Sequence, residues 1–568
     1  MTLRANDMTE KLVDDIDHSG ERGRVLSYGG EGIDTHGPDG AAGGDSGPHS
    51  VLEWTDVHGR SYTYHPNPMV YSCPFILAQE ACERLAYYGV MPTLLPFLQQ
   101  FLHMGGAEAS SYINVFQGTM FLTPIPSAIL SDTFFGPYKT IIIFSVVYMA
   151  GLILLALSAV NQNLSWLAHV GIMGLLTCGA GGIKSQVNVF GAQQFHPVVH
   201  AAAMTSFFTY FYASINVGAI IGGFACPTIA ENVSYFVAYL IPVCSFGIAI
   251  AVFVMGTKRY VRILPTGSPV LQFVRIVWYS GRRRFTFALA KSTNGGPYDD
   301  AYVDGTVQLC RTFPVLCLVV PLMIAYNQMT TAFLTQGQKM RHVVFGFSFP
   351  PSLMQSADSL SVIIVSALLE RLVYPSLRRR DRMPTLVDRY LIGNLLGACA
   401  LVAAYIVELV VMESDVGTLS IFWQVPQFAL IAAAECFSVS TSYEAAFTYA
   451  PSILKSVASG GNLLYFALAG YLSAGLFKVC SAWLPDFVAT DPTSYNGSGR
   501  CHYDYYYLVL TGVCIGGVFL SLAFQPYVKR LKTAAELALE SSQGRQLATE
   551  ETALKELSAT APTRRTHA

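Results

Sequence analysis

Glu80, Glu83 and Arg84 lie in an apolar run from about Phe75 to Phe101, a length that suits a bilayer crossing. Charge there is costly, roughly 2.5–3.5 kcal/mol per residue on insertion scales. The spacing i, i+3, i+4 puts the three on one helix face, where Arg84 can reach either carboxylate. Such a group either lines a polar path with a changing protonation state or simply locks two helices together. Further along, Lys184 follows Gly179, Gly181 and Gly182 inside another apolar run. A buried Lys needs an acidic partner or a changed protonation balance, unless it snorkels to the interface. Asp358, Glu435 and Glu444 are also embedded in apolar stretches. At about 100° per residue, Glu435 and Glu444 differ by roughly 180° on a straight helix, so only one can face a given partner.

These residues must be held by membrane helices. The chain has 568 residues, 52% hydrophobic and 13% charged, against about a quarter charged in a soluble domain. About twelve apolar segments of spanning length follow one another, near 73–102, 109–131, 138–160, 165–190, 203–228, 235–257, 311–336, 350–374, 387–412, 419–447, 453–483 and 505–528. Residues 1–69 read as a disordered polar tail, 70–257 as a first six-helix bundle, 258–310 as a linker, 311–530 as a second bundle and 531–568 as a charged tail. The 6–7 link carries Lys258, Arg259, Arg262, Arg275, Arg282, Arg283, Arg284 and Lys291, and the 8–9 link carries Arg378, Arg379, Arg380 and Arg382. By the positive-inside rule both links, and with an even number of spans both termini, are expected to be cytoplasmic. The sequons at Asn163, Asn232 and Asn496 then all fall outside, as candidates for glycosylation. Net charge is -2, which gives no reason to expect nucleic acid, and the 12 Cys lack zinc-like spacing. Cys480 and Cys501 are candidates for an external disulfide. No nucleophile–base set, metal-ligand cluster or phosphate loop is evident, so an enzyme is not expected.

The stretch E-A-C-E-R-L-A-Y-Y-G, Glu80 to Gly89, resembles the E-x-x-E-R-F-x-Y-Y-G signature of the proton-dependent oligopeptide transporter (POT/PTR) family of the major facilitator superfamily, with Leu85 for the usual Phe. D-T-F-F-G-P-Y-K-T after span 2 resembles the superfamily's D-x-x-x-G-x-x-K/R loop, with Asp132, Gly136 and Lys139 suited to a gating hinge. The span-4 stretch around Lys184 is similar to G-x-G-G-I-K-x-x-V-x-x-F-G-x-D-Q-F, with Gln193 for Asp. F-Y-A-S-I-N-V-G-A in span 5 resembles the family's F-Y-x-x-I-N-x-G-S. Asn216 there suits a peptide amide or carboxylate, or a helix–helix hydrogen bond. Span 7 contains Asn327 and Gln328, and the Asn327 position carries Asp in many bacterial and animal relatives and is neutral in fungal ones. In span 8, Asp358 replaces the family's Asn. The span-10 stretch around Glu444 resembles E-x-F-x-S-x-T-G-L-E-x-x-Y-x-x-A-P-x-x-M-K-S, with Ser442 and Tyr443 for Gly-Leu. The animal family's span-2 His aligns with Asn114, a nearby Tyr with Phe121, and the span-11 Trp with Asn462, so no span-2 His handles protons here.

The resemblance implies an all-α major facilitator fold with two six-helix bundles around a midplane site. It implies a proton-coupled symporter importing di- and tripeptides by alternating access, with the proton as coupling ion and no other cofactor or metal. Glu80, Glu83 and Arg84 would couple protons. Arg84, Tyr87, Tyr88, Lys184, Asn216, Asn327, Gln328, Asp358 and Glu444 would meet substrate, the peptide amine at Glu444 and its carboxylate at Arg84 and Lys184. Three carboxylates against two cations leave -1, which a single proton brings to zero. Expected partners are small peptides, protons and the bilayer. The protein is expected to be monomeric and in the plasma membrane, with an endomembrane as the alternative. Other readings are a family member carrying an amino acid or nitrate, and a peptide sensor without flux.

Overall fold

The structure, a computed structural model, describes residues 52–56, 59–196, 199–344, 347–484 and 502–559. They fall into two compact units, divided at Pro68 and Met69. In the first, Leu52–Thr55 and Ser61–Tyr64 form an antiparallel hairpin in register Leu52↔Tyr64 and Trp54↔Tyr62. The hairpin lies within the stretch 1–69 expected to be mostly disordered, of which residues 1–51 lie outside the described residues. The reason for the hairpin is local: alternating β-prone residues flank a turn in which Arg60 N donates to Asp56 Oδ1 at 2.8 Å and Gly59 takes φ +73°.

The second unit is helical. Its spans run Cys73–Phe101, Gly106–Phe135, Gly136–Ser158, Ser165–Ala192, Ala201–Asn232 and Tyr235–Met255, then Asp300–Gln338, Pro351–Arg379, Leu386–Glu413, Val425–Thr448, Lys455–Val479 and Tyr503–Leu531, whose helix continues to Ala559. Nine stretches among the described residues are long and apolar enough to cross a membrane, and one of these, Gly106–Ser158, is two spans meeting at Gly136. The first and tenth spans, which carry Glu80, Glu83 and Arg84 and Glu435 and Glu444, stand outside that set. Span 7 begins at Asp300, earlier than its apolar run, because the polar stretch before it continues the same helix. The link between spans 6 and 7 contains the helix Pro269–Gly281, capped by Ser268.

Close contacts fix the helices that carry the charged groups. A Cβ at Gly218 or Gly222 of span 5 would collide with the carbonyl oxygens of Ala81 or Leu85 in span 1, so the two backbones touch beside Glu80–Arg84. Gly181 lets span 4 lie against Met120 and Thr123 of span 2. Span 9 starts with a reciprocal capping box, Thr385 with Asp388, which fixes the neighbouring Arg389. In the second half a fully buried network joins spans 7, 9 and 10. Lys339 Nζ is 3.0 Å from Glu408 Oε1, Gln336 Nε2 donates to Glu408 Oε2 at 2.9 Å, and Gln424 and Gln427 both donate to Gln336 Oε1 at 3.0 Å.

The halves meet at several levels, from Ile125 against Gly460 on the side of the basic 6–7 and 8–9 links to the opposite face. Gln117 Nε2 donates to Thr330 Oγ1 at 3.2 Å, and the Thr119 and Tyr471 hydroxyls are 2.9 Å apart. Further out, Ser111 Oγ donates to the Ala474 carbonyl at 3.1 Å and Gln338 Nε2 to Gln99 Oε1 at 3.2 Å. At that end Glu231 Oε1 accepts from Ser348 Oγ at 3.2 Å and lies 3.8 Å from His342 Nε2.

Candidate functional site: charged groups at the interface of the halves

One helical turn of span 1 brings its carboxylates onto its own guanidinium. Arg84 Nε lies 3.1 Å from Glu80 Oε1, and Arg84 Nη2 contacts Glu83 Oε2. All three are buried, Glu83 completely. The contact of Glu83 with Arg84 is a buried, charge-assisted one. Lys184 interacts electrostatically with Glu80, Glu83 and Arg84, and its Nζ stands 4.5 Å above the Phe121 ring. Tyr87 lies beneath the Arg84 guanidinium at 5.4 Å, edge-on to Tyr88. Buried Tyr148 of span 3 is also within electrostatic reach of Glu83 and Arg84. Thus Glu80, Glu83, Arg84, Tyr87, Tyr88 and Lys184 come together in one cluster.

The second half supplies two carboxylates. Asp358 is 6% exposed and its Oδ1 lacks a hydrogen-bond partner. It interacts with Glu435 of span 10, and both act on Tyr88 of span 1 and Tyr326 of span 7. Spans 8 and 10 are packed at this level, with Cys436 Sγ 3.4 Å from Ser366 Oγ. Tyr88 therefore links the two halves' charged groups.

The expectation that Glu444, not Glu435, faces the first span is reversed. Arg389 Nη1 and Nη2 grip Glu444 at 2.6 and 3.0 Å in a bidentate pair within the second half. The opposite-face argument holds, but the helix is rotated so that Glu435 points inward. Nothing in the motif signalled this. A basic residue just inside the start of span 9 was the available hint.

Gln328 is also corrected. It donates to the Ile324 carbonyl at 2.8 Å and to Ser473 Oγ at 3.0 Å, and accepts from Tyr506 at 3.3 Å, so it is committed to packing. Asn327 is buried with Nδ2 unpartnered. Asn216 donates to the Tyr212 carbonyl of its own helix at 2.8 Å, so its oxygen is the atom left for other partners. Asn114 and Asn462 are fully buried, and Asn462 donates to Ser442 Oγ at 3.1 Å.

In the loop after span 2, Gly136 has φ +73° and a Cβ there would press on the Ile263 carbonyl, so glycine is needed. The Asp132 carbonyl accepts from Gly267 N at 3.0 Å, tying this loop to the chain beyond span 6, while Lys139 is exposed. Asn163 and Asn232 are exposed, whereas Asn496 and Cys501 lie outside the described residues. Among the described residues no group of three or more His, Cys, Asp or Glu is placed to hold a metal ion.

The helices and the buried charges between their two halves define a membrane solute carrier of the major facilitator fold. Residues 138–485 match the model of the POT family, PTR2, and the chain belongs to that family. The match starts beyond Glu80–Arg84, so that motif is additional to it. Among curated relatives, the chain is 30% identical to NRT1/PTR family protein 8.3 of Arabidopsis thaliana, over 78% of this chain and 89% of the relative. It is 29% identical to family protein 8.5 of the same plant, over 81% and 90%. Among solved structures, an auto-inhibited POT family peptide transporter is similar with a TM-score of 0.68 and 26% identity, over 81% of this chain and 97% of that one. A POT family transporter in complex with 5-aminolevulinic acid shares the fold at a TM-score of 0.61 and 17% identity, over 80% and 96%.

Proposed function

We propose that the protein is a proton-coupled symporter that imports di- and tripeptides by alternating access. The observation that carries this reading is the opposition, across Tyr88, of the Glu80–Glu83–Arg84–Lys184 cluster to Asp358 and Glu435. A peptide's charges have the same polarity. Its carboxylate goes toward Arg84 and Lys184, and its amine toward Glu435, which takes over the part expected of Glu444. A proton on Glu80 or Glu83 loosens Arg84 from that carboxylate and frees the guanidinium for the ligand. Contacts at Gln99–Gln338 and Glu231–His342 suit a state closed on the outer side, and the Asp132–Gly136–Lys139 loop suits a hinge on the cytoplasmic side.

In this reading the protein works as a monomer in the plasma membrane with both termini inside, the proton is its coupling ion, and Asn163 and Asn232 are open to glycosylation. Two acidic groups without a cation beside them disfavour nitrate as cargo. Radiolabelled dipeptide uptake into proteoliposomes, with and without an inward proton gradient, tests the proposal. Gradient-dependent accumulation supports it. Binding without flux indicates a sensor instead, and flux of nitrate alone rejects the peptide reading.

A further inference from the structure

The two ends of the site carry different net charge. In the first half, Glu80 and Glu83 are matched by Arg84 and Lys184. In the second, Asp358 and Glu435 face each other, and the groups that meet them are tyrosines: Tyr88, Tyr326 and Tyr443. Three basic side chains of this half are engaged elsewhere. Arg389 holds Glu444, Lys339 holds Glu408, and Lys455 stands 3.9 Å over the Phe447 ring. The two carboxylates are within electrostatic reach of each other, on helices that are packed together. Cys436, next to Glu435, is 4.0 Å from the carbonyl oxygen of Val362, one turn beyond Asp358. Asp358 is more than nine-tenths buried and has an oxygen without a hydrogen-bond partner, which a ligand donor can fill.

We propose that Asp358 makes the amine end of the site a receptor for two positive charges, so that peptides whose first residue is basic are favoured over zwitterionic ones. The inference rests on the peptide reading above. With the coupling proton on Glu80 or Glu83, the first half has one ionised carboxylate against two cations and carries +1. The peptide carboxylate answers it. The second half reaches -2 only when a bound cation offsets the repulsion between its two carboxylates. An α-ammonium alone matches one of them and leaves the other to hold a proton. A second ammonium or guanidinium on the same residue matches both. A basic second residue puts its charge at the other end, beside Arg84 and Lys184, where like charge repels it.

The test is competition against a labelled dipeptide in proteoliposomes at one pH, using alanyl-alanine, lysyl-alanine and alanyl-lysine, with the wild type, D358N and D358E. We expect lysyl-alanine to compete about tenfold or more better than alanyl-alanine in the wild type and in D358E, and alanyl-lysine to gain nothing. D358N should abolish the difference. Equal competition by lysyl-alanine and alanyl-alanine in the wild type overturns the inference while leaving the peptide reading intact. So does a preference that survives in D358N. If none of the three peptides competes, both the inference and the peptide reading fail. Because the wild-type comparison needs no variant to fold, misfolding of D358N does not shield the proposal.

Discussion

The two halves bury charge in opposite ways. The first gathers two carboxylates and two cations within reach of one another, so its members can exchange partners without leaving any charge alone. The second keeps its equivalents apart. Lys339 and Arg389 are locked to Glu408 and Glu444 at the two ends of the bundle, and Asp358 with Glu435 remains at the centre. A self-matched cluster can respond to a proton by re-pairing. A pair with no cation beside it can respond by taking up a proton or a cation. In the proposed reading the coupling proton goes to the first half and the ligand's amine to the second.

The largest expected effect comes from breaking the re-pairing. Glu83→Gln removes a fully buried carboxylate that Arg84 contacts, and gradient-driven uptake should fall to background at matched surface expression. Undiminished accumulation under a proton gradient would remove Glu83 from coupling. Next comes a pair that the comparison treats as purely structural. Lys339 and Glu408 are both fully buried, so K339M strands a charge at a cost of about 3–5 kcal/mol. Thermal denaturation in detergent should show a clear loss for K339M and recovery in the double variant K339M/E408M. A double variant as unstable as the single one would mean that the network is held by more than this charge pair.

Much of the first half could be read from its residues because its chemistry is local. Glu80, Glu83 and Arg84 meet within one helical turn, so spacing alone places them together. Lys184 was legible through its neighbours, since Gly181 is what brings span 4 onto span 2. The second half depends on helix rotation and on contacts distant in sequence. Nine residues separate Glu435 from Glu444, which establishes opposite faces but not which face is inward. That choice is made by Arg389, 55 positions from Glu444. Gln328 likewise looked available until Ser473 and Tyr506, from spans 11 and 12, occupied it. The hairpin at 52–64 was hidden because its short strands are surrounded by polar chain.

Glu435 and Glu444 can be separated directly. Glu435→Gln should weaken dipeptide competition by about tenfold or more, on the order of the 1.5–3 kcal/mol attached to a hydrogen bond with a charged group. Glu444→Gln should change it little, because its pair with Arg389 is partly exposed and stays within one half. An exposed pair of that kind contributes about 0–1 kcal/mol. If Glu444→Gln has the larger effect on affinity, the inward and outward faces of span 10 have been assigned the wrong way round.

The smallest effect concerns the outer contact between the halves. Glu231 and His342 are each about one-third exposed, and His342 attracts Glu231 only when its ring is protonated. Their contribution to the closed outer face is therefore on the order of 1 kcal/mol or less, which corresponds to a fivefold shift at most. A cavity of about 260 Å³ lies at this contact, lined by residues of both halves including Glu231, His342, Gln338 and Ser352. A cysteine at Ser352, buried in the closed face, reports on its opening. Alkylation of S352C from the outer side should accelerate up to about fivefold when Glu231→Gln is added. An unchanged rate would leave that face to Gln99–Gln338 and the span 2–span 11 contacts alone, and the difference between the halves would then lie wholly in the charges at their centre.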